Sequence, residues 1–301
     1  MKFGSLLFVL CLGLIGCGET GKGSKSTYEL GYEVFVSNYP LGYMVSELTS
    51  GEITPDMPWA GQGDPAYWKP SEEAVSALQE SKLVVFNGAE YEKWAKTLSL
   101  PKSKIVDTSA SFKDSLIEVK GEVHSHGPEG EHSHTHKAIT TWLDMNLARE
   151  HLKAVFRALI DFKVASKDTL ERNFTSLDAA IADMDSELKK IGKTMEGKAV
   201  FGSHPIYQYL AKAYGINIIE LHLEPGEFPS ESQWDELKRK SDENEIKYIL
   251  WEGEPLVKTR EKLDSIGITS LTYSPCGDRP EEGDFISVME TNIRNLASVT
   301  E

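Results

Sequence analysis

One long helical pattern divides this sequence into two parts. Over residues 167–192, apolar side chains recur at steps of three and four residues, which places them on one face of a single helix. They are Leu170, Phe174, Leu177, Ile181, Met184, Leu188 and Ile191. At about 1.5 Å per residue, about 25 residues extend roughly 37 Å, enough to run from one lobe of a protein to another. The pattern therefore predicts two bodies connected by one helix.

Strand and helix patterns alternate on both sides of this helix. The first side begins with the strand pattern EVFVSNYP and the helix pattern LGYMVSELTSG, and continues with SEEAVSALQES and KLVVFNGA. The second side, from KAVFGS to a helix predicted over about 284–298, repeats the alternation with four strands. Such alternation produces mainly parallel sheets. The sequence predicts an α/β fold with lobes at 31–166 and 194–301, joined by a long helix over 167–193.

The N-terminus has the pattern of a secreted lipoprotein. The apolar run FGSLLFVLCLGLIG follows Lys2, is too short to span a membrane, and leads into Leu-Ile-Gly-Cys ending at Cys17. This sequence matches the lipobox cut by the bacterial lipoprotein signal peptidase. Residues 1–16 are therefore predicted to be a signal peptide, and Cys17 to carry the lipid that anchors the protein to the bacterial membrane. The predicted location is extracytoplasmic, in the periplasm or at the cell surface, with residues 17–30 as a lipidated tether.

Composition restricts the class of function. The chain carries 47 acidic and 32 basic side chains, a formal net charge of −15 at pH 7. This charge disfavours nucleic acid as a partner and suits a monomer that handles cations or neutral molecules. Cys276 is the one cysteine after residue 17, so no internal disulfide is predicted. The sequence has neither a glycine-rich phosphate loop nor an HExxH motif, and we predict no enzymatic activity.

Five motifs occur in the order found in a known protein family. They are SNYPLGYMVSEL, DPAYWKPSEEAVSALQESKLVVFNGAEYEKW, TTWLD, SHPIYQYLAKAYG and GDFISVMETNIRNL. Over nearly all of the mature sequence, the chain resembles the solute-binding lipoproteins of zinc and manganese ABC transporters, the ZnuA/TroA type. The resemblance implies a metal ion in the cleft between two lobes. It also implies delivery of that ion to an ABC permease, which works with its ATPase.

The resemblance transfers only one of the family's four metal ligands. Ala66 takes the place of the first histidine, Thr140 that of the second, and Ser274 approximately that of the acid, whereas His204 matches the third histidine. Zinc takes four N, S or O donors in such sites, so a single histidine is too few. Other candidate donors by chain position are Asp64, Glu252, Glu254 and Cys276.

Glu252 is the candidate with the clearest structural reason. It ends a predicted parallel strand, where open α/β sheets place ligand groups, although a surface acid at a strand end is an equally good interpretation. Cys276 fits a buried structural cysteine better than a ligand. His151, within a helix pattern, and His222, at a strand end, are predicted to be structural.

A histidine-rich tract, HSHGPEGEHSHTH, covers residues 124–136 of the first lobe. Its histidines are His124, His126, His132, His134 and His136. We predict a polar loop that binds zinc, or another divalent transition metal, through neutral imidazole. The last of these histidines lies four residues before Thr140. The loop is therefore expected to contribute donors to the cleft.

The preferred functional prediction is a lipid-anchored zinc-binding protein of an ABC importer. In this prediction His204, the loop histidines and Glu252 rebuild the cleft site. The alternative is a surface lipoprotein on the same scaffold that buffers metal through the loop, or acts as an adhesion or interaction module, without transport.

Overall fold

The computed structural model describes residues 33–120, 124–125, 131–132 and 135–300. The predicted signal peptide, the tether and Cys17 lie outside the described residues, as do His126 and His134. No helix in these described ranges is long and apolar enough to cross a membrane.

A three-stranded parallel sheet lies at the centre of the first lobe, in the order β1-β2-β3. Its strands are β1 (Val34–Val36), β2 (Leu83–Phe86) and β3 (Ile105–Asp107). The helices of this lobe are α1 (Tyr39–Leu48), α2 (Glu72–Glu80) and α3 (Met145–Asp161). β1 and β2 are buried along their whole length, as expected of apolar parallel strands that are covered on both faces.

A four-stranded parallel sheet lies at the centre of the second lobe, in the order β11-β10-β8-β9. Its strands are β8 (Ala199–Gly202), β9 (Asn217–Glu220), β10 (Tyr248–Trp251) and β11 (Thr269–Thr272). The helices are α5 (Gln208–Tyr214), α6 (Glu231–Asn244), α7 (Val257–Ser265) and α8 (Phe285–Ala297). Since β8 lies between β10 and β9, these three strands end side by side.

The helix between the lobes, α4, runs over Lys167–Thr194. It begins at Ser166, whose hydroxyl accepts a hydrogen bond from the backbone N–H of Thr169 and so caps the first turn. Most of the predicted apolar positions are buried, and α4 contacts α1 and α3 of the first lobe and α5 and α8 of the second lobe. The predicted fold class, two α/β parts with parallel sheets and a long helix, is confirmed.

The described residues of the histidine-rich tract form short strands, where the sequence predicted a polar loop. β4 (Glu118–Lys120) pairs antiparallel with β7 (Thr135–Lys137), and β5 (His124–Ser125) pairs antiparallel with β6 (Glu131–His132). The prediction of a loop was wrong for these residues. Strands are recognised from alternation of apolar and polar side chains, and this polar segment has no apolar face to produce that pattern.

His151 lies in the core of the first lobe, as predicted, where 1% of its surface is exposed. Its Nδ1 lies 2.7 Å from Thr108 Oγ1, and its Nε2 lies 2.7 Å from Thr141 Oγ1. Because the Thr108 hydroxyl donates to the carbonyl of Phe86, the His151 Nδ1 carries the proton and donates to Thr108. Burial lowers the pKa of His151 to about 3, so the ring is neutral in the folded protein.

Replacing His151 with glutamine should make the stability less dependent on pH on the acid side. An unfolded histidine titrates near 6.5 and the folded one near 3, so below pH 6.5 the unfolded chain binds the proton first. The contribution of His151 is therefore complete above pH 6.5 and is lost as the pH falls toward 3. Linkage gives about 1.4 kcal/mol per pH unit. Urea unfolding at pH 7.5 and 5.5 should show a loss for wild type that is about 1.4 kcal/mol larger than for His151→Gln.

The matched control for this experiment is His222→Gln, which removes an exposed histidine. Its stability should change between the two pH values by as much as that of wild type. An equal change for His151→Gln and wild type would contradict the assignment of a buried neutral ring.

Candidate metal centre

Three adjacent strands of the second sheet bring polar side chains to the same edge. His204 follows the end of β8 by two residues, Glu252 directly follows β10, and Glu224 lies four residues after β9. Parallel strands present their carboxyl ends at one edge, which is where open α/β sheets bind ligands. The backbone continues the sheet here, since the N–H of Ser203 donates to Leu250 and that of Leu223 donates to Ser203, both at 2.8 Å.

The imidazole and the two carboxylates converge. Each of His204, Glu224 and Glu252 offers one ligand atom, and these three atoms all lie within 4.8 Å of one another. His204 Nδ1 is 3.4 Å from Glu224 Oε1, and within the described part of the chain this nitrogen makes no hydrogen bond. The side chain of His204 is 33% exposed and that of Glu224 is 52% exposed, so solvent reaches the cluster. Imidazole nitrogen and carboxylate oxygen are both zinc donors.

The cluster lies in a cavity of about 630 Å³ between the two lobes. The first lobe contributes Asp64, Tyr91, His136, Thr140 and Trp142 to its lining, and the second lobe contributes the cluster together with Pro275 and Asp278. A hydrogen bond of 2.7 Å from Trp142 Nε1 to the carbonyl of Pro275 connects the two walls. The cavity is therefore a cleft between lobes with its candidate ligands concentrated on one wall.

Carboxylates dominate the electrostatics of the cleft. Burial raises the pKa of Glu252, and the charges of Glu224 and Asp64 raise it further, while His204 opposes the shift. Two lysines also line the cavity, but Lys137 binds Glu118 at 2.5 Å and Lys93 lies over the ring of Tyr67. The carboxylates thus repel one another, and a divalent cation among them would relieve this repulsion.

The sequence matches one family over almost all of the described chain. The model of the periplasmic zinc-uptake complex component A, ZnuA, matches residues 34–299. The chain belongs to the ZnuA family. The resemblance inferred from the motifs is confirmed, and the predicted role in metal uptake is the role for which this family is named.

Named relatives of the family extend over the same length. The high-affinity zinc uptake system protein ZnuA of Bacillus subtilis is 26% identical over 304 residues, which cover 96% of this chain and 95% of that protein. The zinc-binding lipoprotein AdcA of Streptococcus pneumoniae is 26% identical over 322 residues, but this chain spans only 61% of AdcA. The manganese ABC transporter substrate-binding lipoprotein PsaA of Streptococcus pneumoniae is 24% identical over 310 residues, which cover 97% of this chain and 96% of PsaA.

Solved structures of the family share the fold. The Zn(II)-bound ZnuA-like domain of Streptococcus pneumoniae AdcA superimposes with a TM-score of 0.75 at 20% identity, covering 90% of this chain and 99% of that domain. The metal-dependent lipoprotein YcdH of Bacillus subtilis gives a TM-score of 0.74 at 20% identity, covering 88% and 97% of the two chains.

The three positions that lack a family ligand have structural roles in this ZnuA family member. Ala66 is 3% exposed and packs in the core of the first lobe. The Thr140 hydroxyl donates to the carbonyl of Ile206 at 2.5 Å, which connects the two lobes beside the cluster. The Ser274 hydroxyl accepts from the N–H of Cys276 at 3.2 Å and holds the turn there. These three positions are therefore not candidate metal ligands in this structure.

The structure also separates the remaining candidate residues. Glu254 bonds to Arg260 and to the Thr272 hydroxyl, and it lies outside the cluster. Burial, with smaller effects of Asp284 and Asp278, raises the pKa of Cys276 to about 12, and this residue also lies outside the cluster. The exposed ring of His222 has its centroid 6.2 Å from that of His204, next to the cluster but not part of it.

The loop histidines have different positions relative to the cleft. His136 lines the cavity that contains the cluster. The backbones of His124 and His132 pair with each other across the β5–β6 ladder. The cluster residue that the sequence analysis did not predict is Glu224. Like Glu252, it is an acidic residue that follows a parallel strand, and this pattern could have identified it.

Proposed function

We propose that this protein binds zinc at His204, Glu224 and Glu252 and delivers it to the permease of an ABC importer. The observation on which the proposal rests is the convergence of these three ligand atoms within 4.8 Å in a cleft between two lobes. Membership of the ZnuA family supports zinc as the cargo. Among divalent metals, a site with imidazole favours zinc over manganese by the general order of affinities.

The proposal includes the setting in which the protein works. Anchoring by lipid on Cys17 would hold the protein at the bacterial membrane, in the periplasm or at the cell surface. The partially exposed site suits a carrier, because a ligand set open to solvent releases its ion more readily than a closed structural site.

The histidine-rich loop has a supporting role in this proposal. His136 lines the same cavity as the cluster, so a metal held by the tract at 124–136 is already close to the cleft. Neutral imidazoles bind zinc reversibly and compete with protons, which suits transient capture. The loop histidines would collect zinc and transfer it to the cluster.

Zinc calorimetry at neutral pH tests the cluster assignment. Even residues that only support a metal ligand typically contribute 10–100-fold to affinity, so removing His204 by substitution with alanine should weaken zinc binding by about 100-fold or more. Glu224→Gln should weaken it in the same direction. The control is His222→Ala, which removes a neighbouring exposed histidine and should leave the affinity close to wild type.

Two results would contradict the proposal. Zinc affinity that is unchanged in His204→Ala would exclude the cluster as the site. If deletion of residues 124–134 abolished zinc binding while His204→Ala had no effect, the protein would be a metal buffer that acts through its loop.

A further inference from the structure

The cleft is far larger than a metal ion requires. Its cavity measures about 630 Å³, whereas one water molecule takes about 30 Å³ in the liquid, so an ion with a full set of water ligands leaves most of the space unfilled. Pockets that bind small organic molecules have volumes of about 300–1,000 Å³. The cavity is therefore of the size that holds an ion together with an organic ligand.

The cluster leaves coordination positions of the ion open. His204, Glu224 and Glu252 supply three donors. Zinc with three protein ligands keeps a fourth position for a small ligand, and in some sites it expands to five ligands. The side chains of His204 and Glu224 are partly exposed, so these positions can be reached from the cavity. A chelator with two donor atoms would fill both of them.

Tyr67 and Lys93 lie on the first-lobe side of the same cavity. Tyr67 is 65% exposed, and Lys93 Nζ lies 5.8 Å from the centroid of its ring. In the part of the chain that the structure describes, Lys93 pairs with no carboxylate, whereas Lys137, the second lysine of the cavity, binds Glu118. The first lobe thus presents an aromatic ring that can stack on a planar group and a cation that can bind a carboxylate.

The charge of the cavity restricts the class of chelator. Its described lining contains four carboxylates and two lysines, which are Asp64, Glu224, Glu252, Asp278, Lys93 and Lys137. A zinc ion that carries one monoanionic amino acid keeps a positive charge, which this acidic cavity attracts. A zinc ion that carries a polycarboxylate such as citrate is an anion, which the cavity repels. The electrostatics therefore favour an α-amino acid with a single carboxylate.

We propose that the cleft binds zinc as a complex with one α-amino acid, and that histidine fits it best. The inference rests on the proposed function, because it names the form of the cargo at the same cluster. Histidine binds the ion through its amine and its imidazole, which is a zinc donor. Its carboxylate accepts from Lys93, and its ring stacks on Tyr67. The cluster holds the metal, and the opposite lobe recognises the organic ligand.

Calorimetry with L-histidine titrated into the zinc-loaded protein tests this complex. One histidine should bind per zinc ion, and none should bind to the zinc-free protein at the same concentrations. Lys93→Gln should weaken the binding of histidine by about tenfold or more, because a hydrogen bond between charged groups is lost. Lys96→Gln is the matched control, since Lys96 lies on the same short helix, Lys93–Thr97, and does not line the cavity. It should bind histidine within about twofold of wild type.

Native mass spectrometry gives an independent measurement, because it counts zinc and histidine on each molecule. Wild type should carry both together, and citrate in place of histidine should give protein with zinc alone. Histidine that removes the zinc without forming the joint complex would overturn the proposal. Citrate bound as tightly as histidine would also overturn it, as would equal histidine binding in Lys93→Gln and Lys96→Gln. If zinc binding depends on His204 but histidine does not join it, only this inference fails. Zinc affinity that is unchanged in His204→Ala would instead overturn the cluster itself.

Discussion

Replacing Glu252 with lysine should abolish zinc binding and leave the protein folded. The ammonium group would lie beside Glu224 and Asp64, whose charges already raise the pKa of Glu252. At 4 Å and an effective dielectric constant near 20, two unit charges interact by about 4 kcal/mol. The substitution removes the attraction between the Glu252 carboxylate and the zinc ion and adds a repulsion between the lysine and the ion. The free energy of zinc binding should therefore become less favourable by at least about 4 kcal/mol. The affinity for zinc should fall by about 1,000-fold or more. Calorimetry measures the affinity.

Thermal unfolding of the zinc-free protein supplies the second part of this test. Since a lysine at 252 would compensate the repulsion among the cleft carboxylates, the melting temperature without zinc should stay equal to wild type or rise. Glu254→Lys is the control, because this carboxylate lies two residues away and bonds to Arg260 and Thr272 outside the cluster. It should reduce zinc affinity by less than about tenfold. Tight zinc binding in Glu252→Lys would contradict the site.

The fold could be predicted wherever burial leaves a pattern in the sequence. The stripe from Leu170 to Ile191 lies within α4, and the helix predicted over 167–193 begins at the same residue as α4 and ends one residue before it. Apolar runs predicted the buried strands β1, β2 and β10 because parallel strands covered on both faces leave no polar positions. The pairing of β4 with β7 could not be predicted, since these strands are recognisable only from the partner that lies opposite them.

The site could be predicted only in part, because it depends on the order of strands in the sheet. Glu252 directly follows its strand, and His204 matched a family ligand, so the sequence named both as candidates. Glu224 comes four residues after β9, and it reaches the cluster because β9 lies next to β8. If β9 lay at the far edge beside β11, the same acid would be remote from His204. Strand order is a tertiary property that chain position does not contain.

The family's missing ligands follow from the same structure. Ala66 is in the core, and the Thr140 hydroxyl bonds to the second lobe. A side chain that packs or connects the lobes is not available to bind a metal. The candidate donors in the cluster are the imidazole of His204 and two carboxylates that follow strand ends, Glu224 and Glu252. Zinc binds both imidazole nitrogen and carboxylate oxygen. A site in which carboxylates replace some of the family's histidines can therefore still bind zinc.

The position of His204 depends on a close contact between α4 and α5, the helix that follows His204. Gly192 of α4 lies against the backbone of Tyr214 at the end of α5, so a Cβ at Gly192 would be 2.0 Å from the Tyr214 carbonyl oxygen. The Tyr214 hydroxyl accepts the N–H of Met145 at 2.9 Å and donates to Asp185 at 3.2 Å, two turns earlier in α4. Backbone contact and hydrogen bonds together fix α5 on the long helix.

Gly192→Ala should therefore destabilise the protein, although alanine is normally the better helix residue. The better helix propensity contributes about 1 kcal/mol, but the clash is with backbone and exceeds the usual overpacking cost of about 1–3 kcal/mol. We expect a net loss of about 3 kcal/mol, and a melting temperature lower by about 6–12 °C. Ser186→Ala, at an exposed position of the same helix, is the control. It should change the free energy of unfolding by less than about 0.7 kcal/mol. A higher melting temperature for Gly192→Ala would show that α4 and α5 are not in close contact, and the fixed position of His204 would then need another cause.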